Sequence, residues 1–280
     1  MIGLEDRQAL AKDIEAAHGA GARLRLACST AGIDQRTLQR WKVQEGLSRG
    51  DGRPQAVRQV WCWDMTYLPA SVLGRWFHLY LILDLYSRKI VGWEVHDSDS
   101  SEHAAHLVRR TALAEGIAAL ADKPVLHGDN GPTLKATTVL AMLNWLGVKP
   151  SYSRPRVSDD NAYAESLFRT AKYRPEFPSK GFADLAAARA WAQGFVRWYN
   201  VEHRHSGIGY VSPAQRHAGE DHAILAARHA LYTKARAQNP ARWSGNTRNW
   251  TPTGAVTLNP ERDSVVAAHV GATLIQPLAA

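Results

Sequence analysis

Three apolar segments in the middle of the chain have the composition of β-strands, and they most constrain its fold. They cover residues 60–68, 76–83 and 90–96, and only short turns separate them. Apolar runs of this length, bounded by turn residues, are typical of buried strands. Consecutive strands joined by short turns pair in an antiparallel meander. The sequence therefore predicts a sheet that begins with three meandering strands.

Beyond the third strand, helical and strand patterns alternate. The predicted order is helix, strand, helix, strand and two further helices, over residues 101–115, 124–129, 133–147, 149–153, from about 158, and 185–198. A meander followed by alternating helices and strands indicates a mixed sheet covered by helices. The predicted fold class is α/β, with a mixed five-stranded sheet flanked by helices.

A small helical segment, residues 1–45, is predicted to precede this sheet. Residues 4–18 have helical apolar spacing, and the stretch 20–41 places the turn residue Gly32 before Asp34, which would cap a second helix. The exposed face of that helix would carry Gln35, Arg36, Gln39 and Arg40. These side chains suit base edges and phosphates. The pattern favours a DNA-binding helix-turn-helix, with an ordinary helical hairpin as the alternative.

The remaining boundaries follow from composition. Residues 46–58 combine glycines, a proline and charges, which is typical of a linker. Residues 59–218 are predicted to form the α/β core, and residues 219–280 a helical and extended tail. Aromatic residues such as Trp250 suit packing of this tail on the core or on DNA, and the sequence favours neither.

Three carboxylates stand where a purely structural role explains them poorly. Asp64 interrupts the first apolar run, Asp129 ends the fourth strand, and Glu165 lies near the start of the next helix. Buried or half-buried carboxylates are costly without a positive partner, and neither apolar run contains Lys or Arg. Mg²⁺ and Mn²⁺ prefer carboxylate oxygens. We therefore predict that these three residues are catalytic, and that they bind two such ions for phosphoryl transfer.

Charge and cysteine content narrow the class of protein. The net charge is +8, yet residues 61–153 carry 8 basic and 9 acidic side chains. An acidic site between basic flanks suits a polyanionic substrate, although a generally basic surface without a partner is equally compatible. Two cysteines form neither a disulfide framework nor a zinc quartet. With no apolar membrane span and no signal-peptide pattern, the expected location is a reducing cytoplasm without membrane association.

Several motifs together resemble the integrase core of DDE transposases, in particular the insertion-sequence-three family of bacterial elements, which are relatives of retroviral integrases. The segments that carry the resemblance are Trp63–Tyr67, Leu83–Trp93, His127–Gly131, Ser153–Asn161, Glu165–Arg169, Trp198–Asn200 and His203–Ser206. The resemblance extends from about residue 20 to about residue 260. It implies an RNase H-like fold, divalent-metal catalysis, cleavage at element ends and transfer of a 3′-hydroxyl to a new phosphodiester.

The resemblance also implies partners. These are double-stranded DNA of the terminal repeats and the target, and further copies of the chain, since two ends must be synapsed. The chain resembles a downstream reading-frame product, so the upstream product is an expected fusion or partner, in the bacterial cytoplasm at the nucleoid. Gly128 stands where this family more often has Ser, which predicts a looser strand end beside Asp129.

Basic and amide side chains near Glu165 are the candidate DNA contacts of the core. Arg169 and Lys172 follow Glu165 by one and two helical turns, and we expect them to contact phosphates beside the scissile bond. Arg154 and Arg156, in the preceding loop, are weaker candidates. Asn161 would orient either Glu165 or a nucleotide.

Other polar residues fit structural roles at least as well. Asp84, Ser87 and Arg88 are typical of a turn between strands. His127 is predicted either to touch the site or to be a satisfied core histidine. For His203 and His205 a hydrogen-bonding role is favoured over metal binding, since no cysteine cluster is near.

Two other functions compete with transposition. A stand-alone RNase H-like nuclease would use the same carboxylates, but the helix-turn-helix pattern and the basic tail argue against it. An inactive or regulatory DNA-binding remnant would need only the first 60 residues. The presence of a carboxylate at all three positions argues against loss of catalytic function.

Overall fold

A mixed five-stranded sheet forms the centre of the protein in a computed structural model that describes residues 4–35, 37–38, 54–153, 161–256 and 258. Its strands are β1 (Val60–Pro69), β2 (Trp76–Asp84), β3 (Ile90–His96), β4 (Val125–Gly128) and β5 (Lys149–Tyr152). They lie in the order β3-β2-β1-β4-β5. Strands β1, β2 and β3 pair antiparallel, and β4 pairs in parallel with β1 and β5. The predicted meander and mixed α/β sheet are confirmed.

Helices flank this sheet and also precede and follow it along the chain. They are α1 (Leu4–Gly19), α2 (Leu24–Thr30), α3 (Ser101–Ala114), α4 (Pro132–Lys135), α5 (Thr137–Leu146), α6 (Ala162–Lys172), α7 (Leu185–Arg197), α8 (Pro213–His217) and α9 (Asp221–Gln238). A π-helical turn, Trp198–Glu202, continues α7, and short 3₁₀ turns cover Ile117–Ala119, Ser206–Ile208 and Pro240–Arg242. Helices α3 and α5 pack on one face of the sheet, and α6 and α7 on the other.

The register of β1 decides which face carries Asp64. Side chains alternate along a strand, so Asp64 shares a face with Cys62 and Leu68. Both of these belong to the buried cluster that includes α6 and α7, whereas Trp61 and Trp63 belong to the opposite cluster. Asp64 therefore lies on the α6 side of the sheet.

One predicted helix is divided in two. The sequence predicts a single helix over residues 133–147, but Ala136 has an extended backbone (φ −62°, ψ 142°) between α4 and α5. The single-helix prediction is wrong because Leu134 and Val139 are both fully buried. Residues five apart on one continuous helix lie well apart around its axis, and the break lets both reach the core. The predicted stop at Gly147 is confirmed, with φ 69° at the helix end.

The amino-terminal segment forms α1, α2 and a turn. Ile14, Cys28 and Leu38 form a small buried cluster, and the turn residue Gly32 has φ 71°. The backbone N–H groups of Thr37 and Leu38 both donate to the carbonyl of Asp34, where the second helix was predicted to begin. Gln35 is partly exposed. Arg36, Gln39 and Arg40 lie outside the described residues, so the DNA-binding face remains a prediction.

Residues on both sides of the core pack against it. The Arg58 backbone N–H donates to Asp84 Oδ2 at 2.7 Å, and the Val256 N–H donates to the Pro54 carbonyl at 3.1 Å. Thus the end of the predicted linker and a later part of the tail, at Val256, meet beside the core. Trp250 is buried with Leu225, so this part of the tail packs on the protein. No described helix is both long and apolar enough to span a membrane.

Candidate active site

Asp64 lies in the middle of β1, partly buried on the α6 side of the sheet. Its Oδ1 accepts a hydrogen bond from the backbone N–H of Met65 at 2.8 Å. Burial raises the pKa of Asp64 from 3.8 to about 7, although the Met65 hydrogen bond opposes this, and the negative charges of Asp129 and Glu165 raise it further. Asp64 is thus a carboxylate whose ionised form is poorly compensated.

The other two carboxylates approach from different elements. Asp129 directly follows β4, at the carboxyl end of a parallel strand, where ligand sites of open α/β sheets are common. Its Oδ1 accepts from the Gly131 N–H at 3.1 Å, a side-chain turn that suits Asp. Glu165 lies in the first turn of α6, where the helix dipole favours negative charge. Both side chains are exposed, so the predicted cost of burial applies to Asp64 alone.

The three charges share one electrostatic neighbourhood. Both Asp129 and Glu165 act on the pKa of Asp64, and so does the positive charge of Lys172. In the described part of the chain, however, no three His, Cys, Asp or Glu side chains are grouped closely enough to hold a metal ion. The structure therefore brings the three charges near one another without closing them into a ligand set. Their oxygens suit Mg²⁺ or Mn²⁺, because a dication would offset the repulsion that burdens Asp64.

The strand end that carries Asp129 is tightly packed. A Cβ atom added to Gly128 would lie 2.5 Å from Leu134 Cδ2 and 3.2 Å from Trp63 Cδ1. The Gly128 carbonyl also accepts hydrogen bonds from the backbone N–H and the hydroxyl of Ser153, at 2.9 and 3.2 Å. The looser strand end predicted from Gly128 is not what the structure shows. Here glycine allows a close approach that a larger residue would obstruct.

Asn161 connects α6 to the strand that carries Asp64. It is buried, and its Nδ2 donates to the Trp63 backbone carbonyl at 3.3 Å, one residue before Asp64. Of the two roles predicted for Asn161, this contact supports positioning of α6 and Glu165. The other predicted role of Asn161, contact with a nucleotide, stays a prediction; its side chain is buried in this structure.

The predicted DNA-contacting residues of α6 follow Glu165 along its face. Burial lowers the pKa of Lys172, and the charge of Asp64 opposes this, so Lys172 lies near the carboxylates. Arg169 is exposed, and its guanidinium carbon lies 5.4 Å from the centroid of the Tyr173 ring. Arg154 and Arg156 lie outside the described residues.

Two structural assignments are supported by contacts. Asp84 is fully buried, and its Oδ1 accepts from both the backbone N–H and the hydroxyl of Ser87, at 2.8 and 2.7 Å. His127 is buried, with Nδ1 3.0 Å from the hydroxyl oxygen of Ser151. Asp84 and Ser87 therefore form the predicted turn, and His127 is a hydrogen-bonded core histidine.

Sequence reasoning missed a buried ionic cluster around Glu115. Its carboxylate oxygens lie 3.0 Å from Arg58 Nε, Lys89 Nζ and His217 Nε2. Although burial opposes it, hydrogen bonds from these three side chains lower the pKa of Glu115 to about 2. No local pattern signals this cluster, because its members come from four distant stretches of the chain.

Comparison with known proteins agrees with this geometry. Two family models, both described as integrase core domain, match residues 54–158 and 146–213. Together they span more than half of the chain and include Asp64, Asp129 and Glu165. The chain therefore belongs to the integrase core domain family, and the α/β fold expected for that family is confirmed.

Sequences similar to this chain include transposases of bacterial insertion sequences. The chain is 32% identical over 160 residues to the transposase for insertion sequence element IS904 of Lactococcus lactis subsp. lactis, covering 56% of this chain and 60% of that one. It is 26% identical over 174 residues to transposase InsF for insertion sequence IS3A of Escherichia coli (strain K12), covering 62% and 58%. These similarities agree with the resemblance to DDE transposases of the insertion-sequence-three family that the motifs predict.

The matches cover only part of each relative. The chain spans about three fifths of the length of these relatives, 60% and 58%. Among solved structures, the catalytic core domain of BIV integrase is similar, with a TM-score of 0.42 and 16% identity, covering 60% of this chain and 98% of that one.

Proposed function

We propose that this protein is a transposase that cleaves DNA at the ends of a bacterial insertion sequence and joins those ends to new sites. The observation that carries the proposal is the poorly compensated Asp64 in the middle of an integrase-core sheet. Its pKa is raised by burial and by two further carboxylates from β4 and α6. Three acids gathered in this way are suited to cations.

Divalent metal fits this site. The integrase core family is divalent-metal dependent, and we assign Asp64, Asp129 and Glu165 as the catalytic residues that hold two Mg²⁺ or Mn²⁺ ions. When bound, such ions would activate the attacking oxygen and stabilise the leaving oxygen of a phosphodiester. Asp64 is fixed by its strand, whereas the side chains of Asp129 and Glu165 are exposed to solvent.

Basic residues beside the carboxylates would hold the DNA. Lys172 and Arg169 follow Glu165 on one face of α6, and we assign them to backbone phosphates next to the scissile bond. Arg154 and Arg156 would extend this contact. Such phosphate contacts position the DNA without reading its sequence. Sequence recognition is assigned to the amino-terminal segment, through Gln35, Arg36, Gln39 and Arg40.

The substrates and partners follow from the same proposal. The substrate is double-stranded DNA, as terminal repeats and as target. Two element ends must be held together, so we propose a homo-oligomer as the active form, with the upstream reading-frame product as a fusion or partner. The proposed location is the bacterial cytoplasm, at the nucleoid.

The test uses end-labelled terminal-repeat DNA and unlabelled target DNA with Mg²⁺ or Mn²⁺, with and without the upstream product. Asp64→Asn should reduce cleavage and joining by at least about a hundredfold, because metal-assisted charge stabilisation contributes several kcal/mol. Asp122→Asn is the matched control, since this exposed residue precedes β4, at the opposite end of that strand from Asp129. It should retain activity.

The products separate the competing functions. Joined strands identify a transposase, because joining requires transesterification. Cleavage without joining would favour the stand-alone nuclease. Equal products from wild type and Asp64→Asn would refute catalysis by this site. No products from wild type, with DNA binding retained, would favour the DNA-binding remnant.

A further inference from the structure

A cavity lies on the face of α6 opposite Glu165. It has a volume of about 260 Å³ and lies between α6, the β2–β3 turn and the segment that follows α7. Among its lining residues are Arg88, Tyr163, Ser166, His203 and His205. The lining positions on α6 recur at 163, 166 and 170, whereas Glu165, Arg169 and Lys172 lie on the other side of the helix. The cavity is therefore separate from the three carboxylates.

Arg88 is the unusual residue of this cavity. It is only 6% exposed, and its Nη1 is buried with no hydrogen-bond partner among the described residues. Its guanidinium carbon lies 3.7 Å from the centroid of the Tyr163 ring. Stacking on an aromatic ring stabilises the cation but leaves its N–H donors unused. A buried charged donor without an acceptor is costly, so an acceptor for Arg88 is missing from the described residues.

The backbone of Arg88 is also strained. Its φ is 66°, a left-handed conformation that costs a residue with a Cβ atom free energy. The strain is held by the turn, in which the Arg88 N–H donates to the Asp84 carbonyl at 2.8 Å. Strain of this kind is often retained where a side chain must be aimed at a ligand. The turn thus directs the guanidinium toward the cavity.

The cavity is electropositive. None of the described residues that line it is Asp or Glu. Burial and the positive charges of Arg88, His203 and Arg216 lower the pKa of His205 to about 4. Asp84 lies nearby and keeps its negative charge, but it is not among the described residues that line the cavity, and its oxygens already accept hydrogen bonds from the Arg58 backbone N–H and from Ser87. The cavity therefore offers donors and positive potential to an anion.

We propose that this cavity binds a phosphate oxyanion, with Arg88 Nη1 as its principal donor and the Ser166 hydroxyl at its rim. Arg is suited to phosphate, since its planar guanidinium donates several hydrogen bonds in a fixed geometry. The aromatic walls, Tyr163 and Tyr199, provide surface for a sugar or base attached to the phosphate. The phosphate belongs either to a DNA backbone or to a free phosphate. The site does not depend on transposase activity.

The test is calorimetric titration of the full chain with inorganic phosphate in the presence of a metal chelator, so that the carboxylate site takes no part. Arg88→Gln should weaken phosphate binding by about tenfold to a hundredfold, the effect of losing a charge-assisted hydrogen bond. The matched control is Arg109→Gln, which removes the same charge from an exposed position on α3. It should change binding by less than about twofold, because exposed charges are screened.

A second variant keeps the buried arginine and so avoids a folding defect. Ser166→Glu places a carboxylate at the exposed rim, where it should occupy the positive cavity and weaken phosphate binding as much as Arg88→Gln does. Circular dichroism and thermal unfolding of each variant confirm that the fold is retained.

A terminal-repeat duplex without metal distinguishes the two sources of phosphate. For a DNA phosphate, Arg88→Gln should weaken duplex binding and reduce the slope of log K against log salt by about one. For a free phosphate, duplex binding should stay unchanged while phosphate binding is lost. Either result supports the oxyanion site.

Three results would overturn it. The first is the absence of saturable phosphate binding to wild type, and the second is equal binding by wild type, Arg88→Gln and Ser166→Glu. The third is binding only after Asp159→Asn and Asp160→Asn, because these carboxylates precede α6 in the sequence and would then be the partners of Arg88.

Discussion

Replacement of Asp64 by Asn should stabilise the metal-free protein at alkaline pH, even though it removes the central residue of the proposed site. The folded-state pKa of Asp64 is about 7, against 3.8 in its ordinary environment. A raised carboxyl pKa means that the folded state holds the proton more tightly than the unfolded state does. The contribution of Asp64 to the free energy of unfolding is therefore most favourable at low pH and is lost as the pH rises through about 7.

The size of the effect follows from the pKa difference. A difference of about three pH units corresponds to about 4 kcal/mol at roughly 1.4 kcal/mol per unit. The partial exposure of Asp64 and rearrangement of the exposed Asp129 and Glu165 side chains reduce this penalty. We therefore expect Asp64→Asn to raise the free energy of unfolding by about 1–3 kcal/mol at pH 8. Asn keeps the size of the side chain and its ability to accept the Met65 hydrogen bond, which isolates the charge.

The assay is urea denaturation of both proteins at pH 8 and pH 5 with a chelator present. The advantage of Asn should be clear at pH 8 and should shrink at pH 5, where the wild-type folded state is protonated. Asp122→Asn, an exposed carboxylate, should show neither effect. An Asp64→Asn protein that is less stable than wild type at pH 8, or whose advantage is independent of pH, would refute the electrostatic reasoning.

Three further predictions concern stability and DNA binding. Glu115→Gln should lower the free energy of unfolding by about 1–3 kcal/mol at pH 7. The denaturation midpoints of variant and wild type should converge as the pH falls from 5 to 2, because the lowered pKa of Glu115 stabilises the fold only above that range. A difference in stability that is independent of pH would contradict this. Gly128→Ala should cost about 1–3 kcal/mol through overlap with Leu134, and a double-mutant cycle should show a smaller cost in Leu134→Ala; equal costs would rule the overlap out. Arg169→Ala with Lys172→Ala should weaken binding of terminal-repeat DNA and lower its salt slope by about two, and an unchanged slope would refute the phosphate contacts.

Most of the sheet could be predicted because its signals are local. The three meandering strands are apolar runs ended by turn residues, and Gly147 ends α5 in a left-handed conformation that glycine adopts readily. The divided helix could not be predicted in this way. The extended backbone at Ala136 is imposed by packing of Leu134 and Val139, which depends on the rest of the core.

The candidate site could be predicted in part for the same reason. Asp64 stands out because a carboxylate inside a strand is locally anomalous, and Asp129 because it ends one. That Asp129 and Glu165 would be exposed depends on how the strand end and α6 meet, which no local pattern determines. Likewise, Arg88 appears in sequence as a turn residue. Only the fold shows that its guanidinium is buried against Tyr163 and that Nη1 has no hydrogen-bond acceptor among the described residues.

Direct measurement of metal binding tests the central claim, that the three carboxylates together hold divalent cations. Titration of Mn²⁺ can be followed by the electron paramagnetic resonance signal of the free ion, for wild type, Asp64→Asn, Asp129→Asn and Glu165→Gln, with Asp122→Asn as control. We predict two bound ions for wild type and the control, and fewer or more weakly bound ions for each of the three variants. Identical Mn²⁺ binding by all five proteins would contradict the account.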